Sequence, residues 1–129
     1  HTNSAAGALT RLRDMDIDGY LLGATIRGVI AQRLLRRVCP ACHAAEQTSS
    51  TCRTCNGSGY SGRTVTYEML QVSPRIAELI DQGASEMEIG KAAAEDDLVP
   101  MAVHAQVLAQ SQVTTIEEVR RVIDLNGGG

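Results

Sequence analysis

The sequence predicts a mainly α-helical fold that carries one small β-hairpin arm. Three observations lead there. Apolar residues recur at intervals of three and four along most of the 129 residues, with capping residues ahead of them. One stretch, Arg63–Leu70, alternates instead, with Val65, Tyr67 and Met69 on one face, and reads as a strand. All four cysteines, Cys39, Cys42, Cys52 and Cys55, form two CxxC pairs with nine residues between them. Each such pair makes a tight knuckle that aims two sulfurs inward, and two knuckles complete a tetrahedron around Zn²⁺. The arm is therefore expected to bind zinc. A redox-active dithiol or two disulfides are the other readings of four cysteines.

The elements follow in order. Ser4 caps a first helix with Ala5, Ala8, Leu9, Leu12 and Met15 at helical spacing. Asp16-Ile17-Asp18-Gly19 is a turn. A second helix is expected from about Tyr20 to Arg37, with Leu22, Ile26, Val29, Ile30 and Leu34 on one face. Arg33, Arg36 and Arg37 would then sit in its last turns, where cations suit the helix dipole. Val38-Cys39-Pro40 ends it and opens the metal loop. Turn residues Asn56-Gly57-Ser58-Gly59 and Ser61-Gly62 follow, so two short strands around them would form a hairpin beside the metal.

The remainder reads as helices. Ser73-Pro74 starts one that Gly83 ends, and Ser85 with Glu88 forms a capping box for the next. Pro100 opens a third, carrying Met101, His104, Val107 and Leu108. Thr115 with Glu118 is a second capping box, ahead of Ile116, Val119, Val122 and Ile123. The expected organisation is a helical segment over 1–38, the tetracysteine arm with its hairpin over 39–72, and a helical subdomain over 73–129.

Composition narrows the function. The chain is 43% hydrophobic and 21% charged, ordinary for a globular protein and too apolar for a disordered one. Its net charge of −3 and its three Tyr, with no Phe or Trp, argue against a nucleic-acid partner. The nearly apolar stretch Gly19–Ile30 is too short and too polar to span a bilayer, and the opening His1-Thr2-Asn3-Ser4 does not resemble a signal peptide. Clustered thiolates point to a reducing, cytosolic compartment. The missing initiator Met is expected of a piece cut from a longer protein.

Several residues have plainer readings. His43 follows Cys42 and is expected to be a solvated loop residue, because four cysteines already fill a tetrahedral site. His104 reads as a packed or half-exposed helical residue, and the three arginines as a solvated helix end or a phosphate contact. Gly90-Lys91-Ala92, with Ser85 in place of a first glycine, does not make a phosphate loop, so hydrolysis by these residues alone is not expected. Three readings remain on these grounds: a zinc-stabilised accessory domain, a chaperone-type module suggested by Cys52-Arg53-Thr54-Cys55-Asn56-Gly57-Ser58-Gly59, or a nucleic-acid-binding zinc ribbon.

The order of motifs resembles the hexameric ATPases of type II secretion and their cousins, the type IV pilus assembly ATPases. The passage His1–Met15 is similar to that family's histidine box and following helix. Ala31-Gln32-Arg33-Leu34 resembles the stretch before its first CxxC, and the four cysteines resemble its zinc-binding insertion. Gly59-Tyr60-Ser61-Gly62-Arg63-Thr64 with Tyr67-Glu68 resembles the exit from that insertion, and Thr114–Val122 its closing helix.

The resemblance implies the C-terminal portion of a RecA-like P-loop ATPase domain, with residues 1–38 as the helical end of its core. The intact enzyme would bind ATP and Mg²⁺ as a homo-hexamer and would power pseudopilus assembly and protein export, or pilus assembly. It would work, without membrane insertion, at the cytoplasmic face of the inner membrane, with the platform and adaptor proteins of the apparatus as partners. His1 would sense the γ-phosphate, while the Walker A and B motifs lie upstream.

Overall fold

The computed structural model describes residues 4–44 and 48–123. His1 lies outside them. Seven helices and two strands run in the order α1 (Ala5–Asp14), α2 (Gly19–Thr25), β1 (Gly28–Val38), α3 (Pro40–Ala44), β2 (Tyr60–Gln71), α4 (Pro74–Asp81), α5 (Glu86–Glu95), α6 (Met101–Gln110) and α7 (Ile116–Val122) among the described residues. The chain divides into two compact units. One holds the residues up to Gln32 with Tyr67–Met101, the other Arg33–Thr66 with the chain from Ala102 on.

In the first unit, hydroxyl caps define the helices. The Gly7 N–H donates to Ser4 Oγ at 3.0 Å, Ile76 N–H to Ser73 Oγ at 3.2 Å and Glu88 N–H to Ser85 Oγ at 3.2 Å. Each bond satisfies a first-turn donor that has no partner within its own helix. Gly83, at φ 79°, follows α4 in the left-handed conformation that a helix end favours. Ala5, Leu9, Leu22, Leu70, Ile76, Ile80 and Ile89 are buried and form an aliphatic core without aromatic rings. Helices α2 and α4 pack closely: a Cβ on Gly23 would stand 2.9 Å from the Ala77 carbonyl oxygen.

The strand expected over Arg63–Leu70 is present as the core of β2. Its inward face is not Val65, Tyr67 and Met69 but Thr66, Glu68 and Leu70, all buried. Glu68 can face inward because both of its carboxylate oxygens are hydrogen-bonded. Oε2 accepts the Ala5 N–H at 3.0 Å and Oε1 accepts the Met101 N–H at 3.0 Å. Charge-assisted bonds from two helix starts compensate the desolvation of the carboxylate.

The helix expected over Tyr20–Arg37 is wrong beyond Thr25. The chain turns extended at Ile26 and continues as β1, with Ala31 and Leu35 inward and Ile30 and Leu34 exposed. The apolar residues at 22, 26, 30 and 34 recur every four positions, a spacing that keeps one face in a strand as well as in a helix. Local periodicity could not separate the two. The three arginines are therefore strand residues rather than a helix end.

The hairpin also differs from expectation. The strands are 11 and 12 residues long, and the cysteine loop is their connection. They run antiparallel: the Val72 N–H donates to the Arg27 carbonyl at one end, and the Cys39 N–H to the Gly59 carbonyl at the other.

In the second unit, Leu35, Ala105 and Val119 are buried together, with Leu108, Ala109, Ile116, Val122 and Ile123 against them. Helix α6 turns Ala105 inward and leaves Val107 half exposed, whereas α7 follows its predicted face. Among the described residues no helix is long and apolar enough to cross a membrane.

Candidate metal centre

Two different turns deliver the sulfurs. At the first knuckle α3 begins right after Cys39, and the His43 N–H donates to the Cys39 carbonyl at 2.9 Å, closing a helical turn that brings Cys42 round beside Cys39. At the second, Cys52 N–H donates to the Ser49 carbonyl, and Ser58 N–H and Oγ both donate to the Cys55 carbonyl. Asn56, Gly57 and Gly59 then take positive φ values of 54°, 83° and 83°. A Cβ on Gly57 would come within 3.2 Å of the Ser50 carbonyl oxygen, so glycine serves both the conformation and the close approach. The CxxCxGxG spacing is thus accounted for by the folding of this one loop.

The four sulfurs converge. Their Sγ atoms all lie within 4.8 Å of one another, with Cys39 to Cys52 at 3.9 Å and Cys42 to Cys55 at 3.6 Å. A tetrahedron with metal–sulfur bonds of about 2.3 Å has edges of about 3.8 Å, so the spacing fits one ion. All four are free thiols. Cys39, Cys42 and Cys55 are buried and Cys52 is partly exposed. The donor set is soft and complete, which suits zinc and leaves no position for water. His43 is exposed and is not among the clustered ligands.

The surroundings act unequally on the thiols. For Cys55, burial opposes ionisation, but hydrogen bonds from the Gly59 backbone and from neighbouring thiols outweigh it and lower its pKa to about 6. The Gly59 N–H reaches Cys55 Sγ at 3.3 Å. Cys52 is also lowered, by the backbone at Cys55 and Thr54. For Cys42 the backbone at Ser49 favours the thiolate, yet burial and the three neighbouring thiols together push its pKa up to about 12. A cation placed among the four sulfurs would favour the thiolate at each of them, the buried Cys42 included.

Other singled-out residues go elsewhere. His104, half-buried on α6, has Nδ1 3.2 Å from Thr66 Oγ1, which agrees with a packed helical histidine. Arg36 pairs with Glu118 and lies 4.1 Å from the Tyr60 ring centroid. Sequence reasoning missed the importance of Glu68 and Glu118. The capping-box pattern flagged Glu118, but its carboxylate turns to Arg36 and Arg121.

Comparison with known proteins adds to this geometry. Residues 1–121 match the family described as Type II/IV secretion system protein. The chain is 38% identical to Type II secretion system protein HxcR of Pseudomonas aeruginosa, over 95% of this chain and 27% of that protein. It is 38% identical to Type II secretion system protein E of Dickeya dadantii, over 95% of this chain and 28% of that protein. To the Type IV pilus assembly ATPase TfpB of Acinetobacter baylyi it is 29% identical, over 97% of this chain and 25% of that protein. The chain thus spans about a quarter of the length of the curated relatives it matches. With the match running through nearly every element, from α1 into α7, the chain belongs to the Type II/IV secretion system protein family.

Proposed function

We propose that this chain is the C-terminal part of a hexameric ATPase of type II secretion, with a structural Zn²⁺ held by Cys39, Cys42, Cys52 and Cys55. The observation that carries the reading is the convergence of four thiols at the turn between β1 and β2, in a chain matched to the family over residues 1–121. A type IV pilus assembly ATPase is the second reading, favoured by the match to the Acinetobacter baylyi protein over 97% of this chain.

Four thiolates with no open position cannot activate water, so the bound zinc contributes folding free energy, on the order of 10 kcal/mol, to a loop with little apolar core of its own. ATP and Mg²⁺ are held upstream, in a RecA-like domain that residues 1–38 complete. His1 senses the γ-phosphate from the start of this segment. The parent hexamer works at the cytoplasmic face of the inner membrane and drives pseudopilus assembly, with the platform and adaptor proteins of the apparatus as partners.

Two measurements test this. Metal analysis of freshly reduced protein should find one zinc per chain, and absence of metal or the presence of disulfides overturns the site. Full-length protein should hydrolyse ATP while these 129 residues do not. Steady turnover by the 129 residues alone contradicts the assignment.

A further inference from the structure

Resting on the proposed zinc site, we infer that α7 is a latch that the bound metal holds shut over an apolar face of the second unit. At seven residues α7 is too short to persist alone in water, so its helicity depends on what holds it. Val119 is fully buried against Leu35 and Ala105, with Leu108 packed beside them. Release of α7 would lay those apolar side chains bare, an order–disorder change of one short segment.

The bonds that seat α7 come from the strand ends that carry the knuckles. Val38, next to Cys39, donates its N–H to the Val113 carbonyl at 2.9 Å. Tyr60, next to Gly59, has its hydroxyl 2.6 Å from Oγ1 of Thr115, the N-cap of α7. Arg36 gives its backbone N–H and its guanidinium to the Glu118 carboxylate, and its carbonyl accepts Thr114 Oγ1 at 2.7 Å. The same guanidinium lies over the Tyr60 ring. All three anchors stand within three residues of Cys39 or Gly59. Those two residues are joined by the Cys39 N–H to the Gly59 carbonyl at 2.8 Å, and the Gly59 N–H reaches Cys55 Sγ. Among the described residues the buried cluster of the loop consists of the four cysteines alone. With a cation at its centre that cluster fixes the spacing of Val38 and Tyr60, and without one no apolar packing replaces it.

The experiment follows amide exchange of the full-length protein by mass spectrometry, with and without a zinc chelator, and then titrates zinc into the metal-free protein. Chelation should speed exchange over Ile116–Val122 about ten-fold or more, while α5 changes by less than about two-fold. Exchange in α7 that stays the same when bound zinc is removed overturns the inference and leaves the metal site standing. Protein that binds no zinc overturns the site, and the latch with it. Linkage is reciprocal, so loosening α7 must weaken metal binding by the factor that the metal adds to closure. Val119→Ala, on α7, should raise the zinc Kd about five-fold, whereas Ile89→Val, buried in α5, should leave it within about two-fold. Equal effects of the two variants overturn the inference, because general stability rather than α7 then sets the affinity. If Val119→Ala does not fold, Glu118→Gln takes its place, with the same expected rise and the same refuting result.

Discussion

Glu118 has a fully buried side chain, and its carboxylate binds two guanidinium groups and one backbone N–H. Arg121 reaches it through Nε at 2.7 Å and Nη2 at 3.0 Å, Arg36 through Nε at 3.1 Å and Nη2 at 3.0 Å, and the Arg36 N–H at 2.8 Å. Arg121 is the main cause of its lowered pKa. Arg36 adds to the effect, burial opposes it, and the result is about 2. A carboxylate lowered in the folded state stabilises the fold above its unfolded pKa of about 4.3, and that contribution is lost as pH falls from there toward 2. Glu118→Gln should therefore cost about 2 kcal/mol at pH 7 and much less near pH 2. Urea denaturation of both proteins at pH 7, 4 and 2.5 checks this. A stability difference that does not shrink with acid would contradict it.

At the scale of elements, close approach reverses an ordinary preference. Alanine is favoured over glycine by about 1 kcal/mol inside a helix. At Gly23 in α2, however, an added Cβ would meet the Ala77 oxygen at 2.9 Å and its Cα at 3.2 Å. Both neighbours are α4 backbone and give way only if the helices separate. Gly23→Ala should lower stability by about 1–2 kcal/mol, measured by thermal melting, and a raised Tm would refute the tight α2–α4 contact. In β1, Leu35 is fully buried and faces Ala105 and Val119. Leu35→Ala should cost about 2–4 kcal/mol, while Leu34→Ala, on the exposed face, should stay within about 0.5 kcal/mol. A Tyr20–Arg37 helix would have given Leu34 the larger loss, so the pair also tests strand against helix. The caps at Ser4, Ser73, Ser85 and Thr115 were legible because a hydroxyl and the N–H it accepts lie three residues apart. The strand was not, because every-fourth-residue spacing serves both periods.

Across the whole molecule, the proposed metal and the aliphatic core act on different residues. Chelation should remove one zinc per chain and speed amide exchange over residues 39–60. It should leave α4 and α5, which rest on Ile76, Ile80 and Ile89, with most of their protection. Loss of protection in α4 and α5 at the same chelator concentration would show that the metal supports the entire fold. Cys39→Ser should reproduce the effect of chelation, because three thiolates no longer complete the tetrahedron.

The sequence by itself determined the grouping of the four cysteines, the hydroxyl caps and the family resemblance, because each depends on residues a few positions apart or on the order of such groups. Tertiary structure decided that 28–38 is a strand, that Thr66 and Glu68 face inward, and that Glu118 serves two arginines rather than its own cap. The partners of Glu68 and Glu118 lie 33 to 82 residues distant, apart from the neighbouring Arg121. A buried carboxylate is tolerated only where folding brings donors to it, and no local pattern records which donors arrive.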